Sequence, residues 1–358
     1  MNVEFYSLLG VILKTEILRV DPVSIDLNKI QKAAKILRDG GLVAFPTETV
    51  YGLGADALSP RAVEKIFKVK GRPPDNPLII HIGDKLELEK LAKNIPQKVE
   101  VLIENFWPGP LTIVLQKSSI VPKIVNAGLE TVAIRMPSNK IALSLINESK
   151  VPIAAPSANI STRPSPTSAK HVINDLNGMI DAIIDGGETN IGVESTVIDL
   201  TTTPITLLRP GGVTFEDLQK ILGKNNIEKS KYNPDEKIAA AKSPGMKYRH
   251  YSPKADVFLV EGKSDRIELK VQEIATNFEK KGYKVGIITI NQKHQYQADT
   301  VEFIGSDLET IAKNIFKTFR KFDNKDMDII IMEGVKEKRL GLAIMNRLRK
   351  AAKKIIQV

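Results

Sequence analysis

The sequence predicts an α/β protein of two unequal domains: a larger one built on a twisted mixed sheet and a smaller Rossmann-like one. Three observations carry this. The chain has 358 residues, more than one hydrophobic core usually serves. Short β-branched runs bounded by Pro, Gly, Asn or Asp recur through residues 17–210. They alternate with helical apolar spacing, but not strictly, as a mixed sheet requires. After Arg209-Pro210-Gly211-Gly212 the chain turns polar, and a fresh strand–helix pattern begins at residue 254.

In the larger domain, strands are predicted at 42–46, 78–82, 111–116, 131–135, 151–155, 182–185, 196–200 and 205–209. Helices are predicted at 28–38, 60–70, 96–105, 140–149 and 168–176. The second helix has Ser59 as a natural N-cap and Pro60 in its first turn, both favoured there. Its Val63, Ile66 and Phe67 form one apolar stripe. The domain boundaries follow as 17–212, a linker at 213–253 that is a candidate active-site lid, and 254–358. In the last region strands are expected at 256–260, 285–290, 301–304 and 328–332, with helices at 264–281, 308–322 and 342–355. Residues 1–16 read as an extension or a short added strand.

Composition excludes several chemistries. The chain has no cysteine, which removes disulfides, thiol nucleophiles and thiolate metal sites. Its four histidines are scattered, without an HxxxH or HExxH pair. The apolar run at 8–13 is too short to span a bilayer and lacks the flanks of a signal peptide, so a cytoplasmic location is expected. The net charge is +10, and nearly all of the excess lies after residue 210. That half suits either an acidic partner such as RNA or simply a solvated surface.

Four segments can carry chemistry. PTETVYGLGADALS, residues 46–59, contains Gly52-x-Gly54-x-x-Ala57. This spacing matches the dinucleotide fingerprint formally, but six residues separate it from the preceding strand and no helix opens on the glycines. Thr47, Glu48 and Thr49 are better suited to presenting hydroxyls at a strand end. KVKGRPPDNPLIIH, residues 68–81, places Lys68, Lys70 and Arg72 on a proline-stiffened loop. Such a loop can clamp phosphate, although cations at a helix C-terminus also complement its dipole. No Walker GxxxxGK[ST] motif occurs. TVAIRMP (131–137) and APSANISTRPSPTS (155–168) offer Arg135, Ser157, Asn159, Ser161 and Ser165. GVESTVIDL (192–200) offers Ser195 and Thr196, and Arg209 follows. Many neutral donors and cations without a Ser/His/Asp order suit transfer chemistry driven by positioning and charge neutralisation.

Together these motifs resemble the threonylcarbamoyl-AMP synthase family, the YrdC-like enzymes. PTETVYGLG, KxRPxxNPLIxH, WPGPLT, VAIRMP, APSAN, RPSPT, GxxST and LLRPG occur in the family's order over residues 17–212. SPGMKYRHYSP at 243–253 resembles the linker of the family's longer form, which implies a YrdC-like domain followed by a Rossmann-like one. The resemblance implies that L-threonine, bicarbonate or CO2, and ATP give L-threonylcarbamoyladenylate and pyrophosphate. A separate transferase would then modify tRNA. It implies a threonine pocket of Thr49, His81, Arg135, Ala155 and Ser195, with Arg135 on the carboxylate. It implies a nucleotide site of Arg72, Asn76, Thr131, Ser157, Ser165, Arg209 and Tyr248. Lys70 and Arg72 would neutralise charge during transfer, and Mg2+ would be held mainly by the ATP phosphates. The alternative from another class is an RNA-binding module using the basic C-terminal half. A dehydrogenase reading of Gly52–Ala57 and a hydrogenase-maturation relative are also open, the latter weakened by the missing cysteines.

Overall fold

A computed structural model describes residues 14–230 and 250–358. Residues 231–249, including Tyr248 and most of the 243–253 segment, lie outside the described residues. The first sheet contains β1 (Glu16–Arg19), β2 (Val43–Phe45), β3 (Gly52–Asp56), β4 (Ile79–His81), β5 (Ala92–Lys93) and β6 (Leu111–Lys117). It continues with β7 (Thr131–Arg135), β8 (Ile153–Ala154), β9 (Ala182–Asp185), β10 (Thr196–Asp199), β11 (Ile205–Arg209) and β12 (Ile227–Lys229). Their spatial order is β1-β9-β2-β3-β8-β4-β7-β6-β10-β11-β12, with β5 beside β6. Parallel and antiparallel pairs mix, as expected.

The helices of this domain are α1 (Leu27–Arg38), α2 (Pro60–Lys70), α3 (Leu88–Leu91), α4 (Lys98–Phe106), α5 (Lys140–Ser149), α6 (Ala169–Leu176) and α7 (Phe215–Leu222). Helix α2 starts as the sequence predicts, with the Ser59 side chain accepting from Ala62 N. It stops at Gly71, whose φ of 58° is the left-handed conformation that costs glycine least. Its buried face includes Ala62, Val63, Ile66, Phe67 and Val69, which join the main core.

The structure corrects four sequence readings. The Gly-rich stretch after Tyr51, where no strand is expected, is strand β3, antiparallel to β2. A Cβ on Gly54 would come within 2.9 Å of the Phe45 ring and the Ile153 side chain, so glycine there serves close packing. Strand β1 pairs with β9 and starts at Glu16. Only Leu18 of its four residues is fully buried, which leaves no period for the sequence to reveal. The proposed linker begins too early, because α7 opens on a Thr214–Asp217 capping box and β12 extends the sheet beside β11. The last helix ends sooner than 355.

The second domain contains β13 (Asp256–Glu261), α8 (Ser264–Glu279), β14 (Val285–Thr289), β15 (Thr300–Phe303), α9 (Leu308–Asp323), β16 (Ile329–Glu333), α10 (Leu340–Ala351) and β17 (Lys354–Gln357). All strands are parallel, in the order β15-β14-β16-β13-β17, as a Rossmann-like domain requires. The chain past Ala351 thus forms an edge strand, with three of its four residues exposed and none fully buried. Connections run through α8 in one direction and through α9 and α10 in the other. Right-handed crossovers therefore put α8 on one face and α9 and α10 on the opposite face.

The two domains share a packed boundary. Val50 and Val193 of the first domain lie in the same apolar cluster as Tyr251, Phe316 and Ile344. A Cβ on Gly192 would meet the Ala312 carbonyl oxygen at 2.4 Å. Arg320 of α9 grips Asp175 of α6 through 2.7 and 3.2 Å bonds and the Pro164 carbonyl at 2.6 Å.

Candidate active site

The site forms where sheet register brings four strand ends together. β4 and β7 are parallel, and His81 is paired with Arg135 at their last residues. β10 enters the sheet from the same edge, since β6 is parallel to β10 but antiparallel to β7. Arg209 ends β11 opposite Val197. The edge therefore gathers His81, Arg135, Ser195 and Arg209 from distant sequence positions. Thr49 comes from the turn between β2 and β3, and Ala155 and Ser157 follow β8. All of these residues line one cavity of about 60 Å³, together with Arg72.

Each side chain is held. Thr47 and Thr49 hydroxyls share a 2.7 Å bond, and Arg135 Nη1 donates to Thr49 Oγ1 at 3.0 Å. Arg135 Nε reaches the Gly109 carbonyl at 3.3 Å, while Nη2 lies 2.8 Å from Glu48 without an aligned hydrogen bond. The Ser195 hydroxyl bonds Thr112 at 2.8 Å and receives Arg209 Nη2 at 3.1 Å. Arg72 donates to the Asn76 and Pro77 carbonyls, at 3.1 and 3.0 Å through Nη2. It thereby ties its own proline loop into a ring.

Electrostatically the cavity is built for anions. Among the described residues, three guanidiniums line it against one carboxylate, Glu194. Burial and the neighbouring Arg209 lower Arg72 to about 10, so it stays charged at neutral pH. Burial, then Arg135, drives His81 down to about 3. It is a neutral imidazole, and its Nδ1 has no hydrogen-bond partner, so it can bond a polar ligand without adding charge. Burial pushes the Glu194 carboxyl up, but Arg347, Arg209 and Ser165 together hold it below the ordinary value. Arg347 of α10, fully buried, donates to Glu194 at 2.6 Å.

Four residues expected at the site stand back from the cavity. The Lys70 ammonium is buried and donates to the Ser157 carbonyl at 2.6 Å and to that of Asn159; burial and Arg72 hold it well below the usual lysine value. It braces the 155–161 loop. Asn76 anchors Arg72 through its carbonyl. The Ser165 hydroxyl donates to Glu194 at 2.5 Å. Thr131 begins the strand that Arg135 ends, roughly 13 Å away at about 3.3 Å per residue. Sequence reasoning did not assign Glu194, His250 or Tyr251 to the site, although all three line it. Each sits inside a quoted motif, GVESTV or RHYSP, so the signal was present without a role. Arg347 had no signal at all, because its partner is in the other domain.

Comparisons with known proteins agree with this geometry. Residues 35–211 match the family described as Telomere recombination, and residues 213–353 match the threonylcarbamoyl-AMP synthase C-terminal domain. The threonylcarbamoyl-AMP synthase of Pyrococcus abyssi is 56% identical over 90% of this chain and 94% of its own length. That of Bacillus subtilis is 48% identical over 93% of this chain and 95% of its own. The crystal structure of P. abyssi Sua5 complexed with L-threonine superposes with a TM-score of 0.92 at 54% identity, covering 96% of this chain and all of that one. Motif order, cavity and full-length similarity coincide, and the chain belongs to the threonylcarbamoyl-AMP synthase family in its two-domain form.

Proposed function

We propose that this protein makes L-threonylcarbamoyladenylate from L-threonine, bicarbonate or CO2, and ATP, releasing pyrophosphate. The observation that carries this reading is the cavity in which Arg72, Arg135 and Arg209 face neutral donors and one tethered carboxylate. The threonine carboxylate would lie on Arg135, whose fixed fork suits bidentate pairing. Neutral His81 and the Ser195 hydroxyl would orient the rest of the amino acid. The threonine nitrogen bonds the carbon of CO2 and gives up a proton, forming a carbamate; with bicarbonate that proton leaves together with the bicarbonate hydroxide as water. A carbamate oxygen then attacks the α-phosphorus of ATP as the bond to pyrophosphate breaks. Both reactants are anions, so Arg72 and Arg209 lower the barrier by offsetting charge where it concentrates.

Among the described residues only Glu194 offers a carboxylate to the cavity, and Arg347 and Ser165 already hold it. Among the described residues no group of three His, Asp or Glu could hold a metal. Mg2+ would arrive on the triphosphate, held mainly by its phosphates. At about 60 Å³ the cavity is far below the usual ligand-pocket range of about 300–1,000 Å³. His250 and Tyr251 form part of its wall, and Ser252 N pins this segment to Thr162 at 2.8 Å. ATP entry would require that segment to move, and its return would shield the short-lived carbamate from water.

No helix among the described residues is long and apolar enough to cross a membrane, and a cytoplasmic site of action is proposed. The product would pass to a separate threonylcarbamoyl transferase acting on tRNA, which the basic C-terminal half could contact directly. The test is pyrophosphate release from ATP, with AMP-linked product followed by mass. Release should require both threonine and bicarbonate. Release indifferent to either one would refute the reading.

A further inference from the structure

The second domain holds a cavity that this reaction does not use. It measures about 730 Å³, within the usual range for small-molecule sites, and all of its lining residues belong to that domain. Topology explains its position. β13 and β16 are adjacent and parallel, yet the chain leaves β13 towards β14 and leaves β16 towards β17, in opposite directions across the sheet. The crevice beyond the carboxyl ends of two such strands is where open parallel sheets take ligands. Glu261 and Glu333 end these strands, and Gly262 and Gly334 follow them into the cavity wall.

The chemistry of the walls narrows the ligand. The floor is rigid and self-satisfied. Glu333 accepts from Tyr296 OH at 2.5 Å, Thr289 Oγ1 at 3.1 Å and Ile290 N at 2.9 Å, with His294 Nδ1 at 2.6 Å. Arg349 forks onto both oxygens of Glu261 at 2.8 Å. One wall is apolar, formed by Ile290, Leu308, Ile311 and Val335, with Ile267 of α8 facing it from the other side of the sheet. On the rim, Lys336 and Lys338 are exposed, and their ammonium groups enter no ion pair among the described residues. A bare anion would leave the apolar wall unused, and an aliphatic chain would leave the two lysines unused. A flat ring joined to a phosphate uses both.

We propose that this crevice binds a nucleoside monophosphate, base against the apolar wall and phosphate on Lys336 and Lys338. The test is photolabelling of the intact protein with 8-azido-AMP, competition by AMP, and mapping of the labelled peptides. Label should appear within residues 290–311 or 333–338 and fall when AMP is added. In the Lys336→Glu/Lys338→Glu double variant it should drop about tenfold or more, the scale of one lost charge-assisted contact, with pyrophosphate release unchanged. Val335→Trp, which fills the slot without touching the lysines, should remove it as well. Label confined to residues 46–81 and 155–165, or second-domain label indifferent to both variants, overturns the proposal. Because the position of the label is read rather than turnover, failure of the proposed reaction would leave this outcome standing.

Discussion

Replacing Arg347 by methionine tests how the second domain acts on the cavity. Arg347 Nε lies 2.6 Å from Glu194 Oε2, and both groups are buried, at 0% and 7% exposure. Removing one partner of such a pair typically costs about 3–5 kcal/mol, because the other charge is left unmatched. Here Ser165 still donates to Glu194 and Arg209 remains a neighbour, which argues for the lower end, about 3 kcal/mol. The pH dependence identifies the cause. In the native protein the Glu194 carboxyl is held below its ordinary value. It therefore contributes stability that is present above the unfolded value of 4.5 and lost as pH falls through the folded one. In Arg347→Met much of that contribution is lost, so the gap between the two proteins should be widest near pH 7 and shrink as pH falls below 4.5 through the folded value. Urea midpoints at several pH values measure it. Arg347→Met/Glu194→Gln should recover part of the loss, since no charge is then stranded. A gap that does not change with pH would refute the electrostatic account. The loss would then lie in packing, where the guanidinium covers the Tyr251 ring at 5.4 Å.

The other expectations are more local. Arg135→Gln should lower kcat/KM for threonine by roughly 100-fold, the scale of a lost charged pair, with a much smaller change in KM for ATP in pyrophosphate-release assays. His81 is depressed to about 3, so the unfolded chain takes up its proton first as pH falls from about 6.5. Native stability should therefore decline over that range, by about 2–3 kcal/mol at pH 4.5, and urea titrations of His81→Gln should show a shallower decline. Gly192 has a φ of 84° and faces the Ala312 backbone. Gly192→Ala should cost roughly 2–4 kcal/mol and make the domain boundary more open to limited proteolysis. The Tyr51 hydroxyl donates to Gly187 O at 2.7 Å and accepts from Gly186 N at 3.2 Å. Tyr51→Phe should destabilise by roughly 1–3 kcal/mol, read as a lower urea midpoint.

Much of the fold was legible because its signals are local. The Ser59–Pro60 start of α2 and the β-branched runs that became β4, β7 and β14 act through neighbours in sequence. What stayed hidden depends on distant partners. β3 is a strand only because β2 and β8 flank it, and its glycines answer to the Phe45 ring rather than to a turn. The edge strands β1 and β17 bury too little to show a period. At the site, Thr49, His81, Arg135 and Ser195 could be picked out by type and motif, and sheet register then brings them together. Lys70 could not be placed correctly from sequence. A lysine beside a phosphate-like loop and a lysine buried on two carbonyls look alike until the 155–161 loop is folded over it.

The placement of Tyr251 suggests why a two-domain chain suits this chemistry. A carbamate must be kept from water, yet ATP must be able to enter, so the wall that closes the cavity has to be movable and also well supported when shut. Tyr251 lines the cavity on one side. On the other side it stacks on Phe316 of α9 at 5.3 Å and lies under the Arg347 guanidinium. The same Arg347 holds Glu194, which faces the cavity. The wall of the cavity, docking of the second domain and the Glu194 charge thus share one small cluster of side chains. A disturbance anywhere in that cluster should be felt in both turnover and domain docking, whereas one confined to Thr49 or His81 should leave domain docking unchanged.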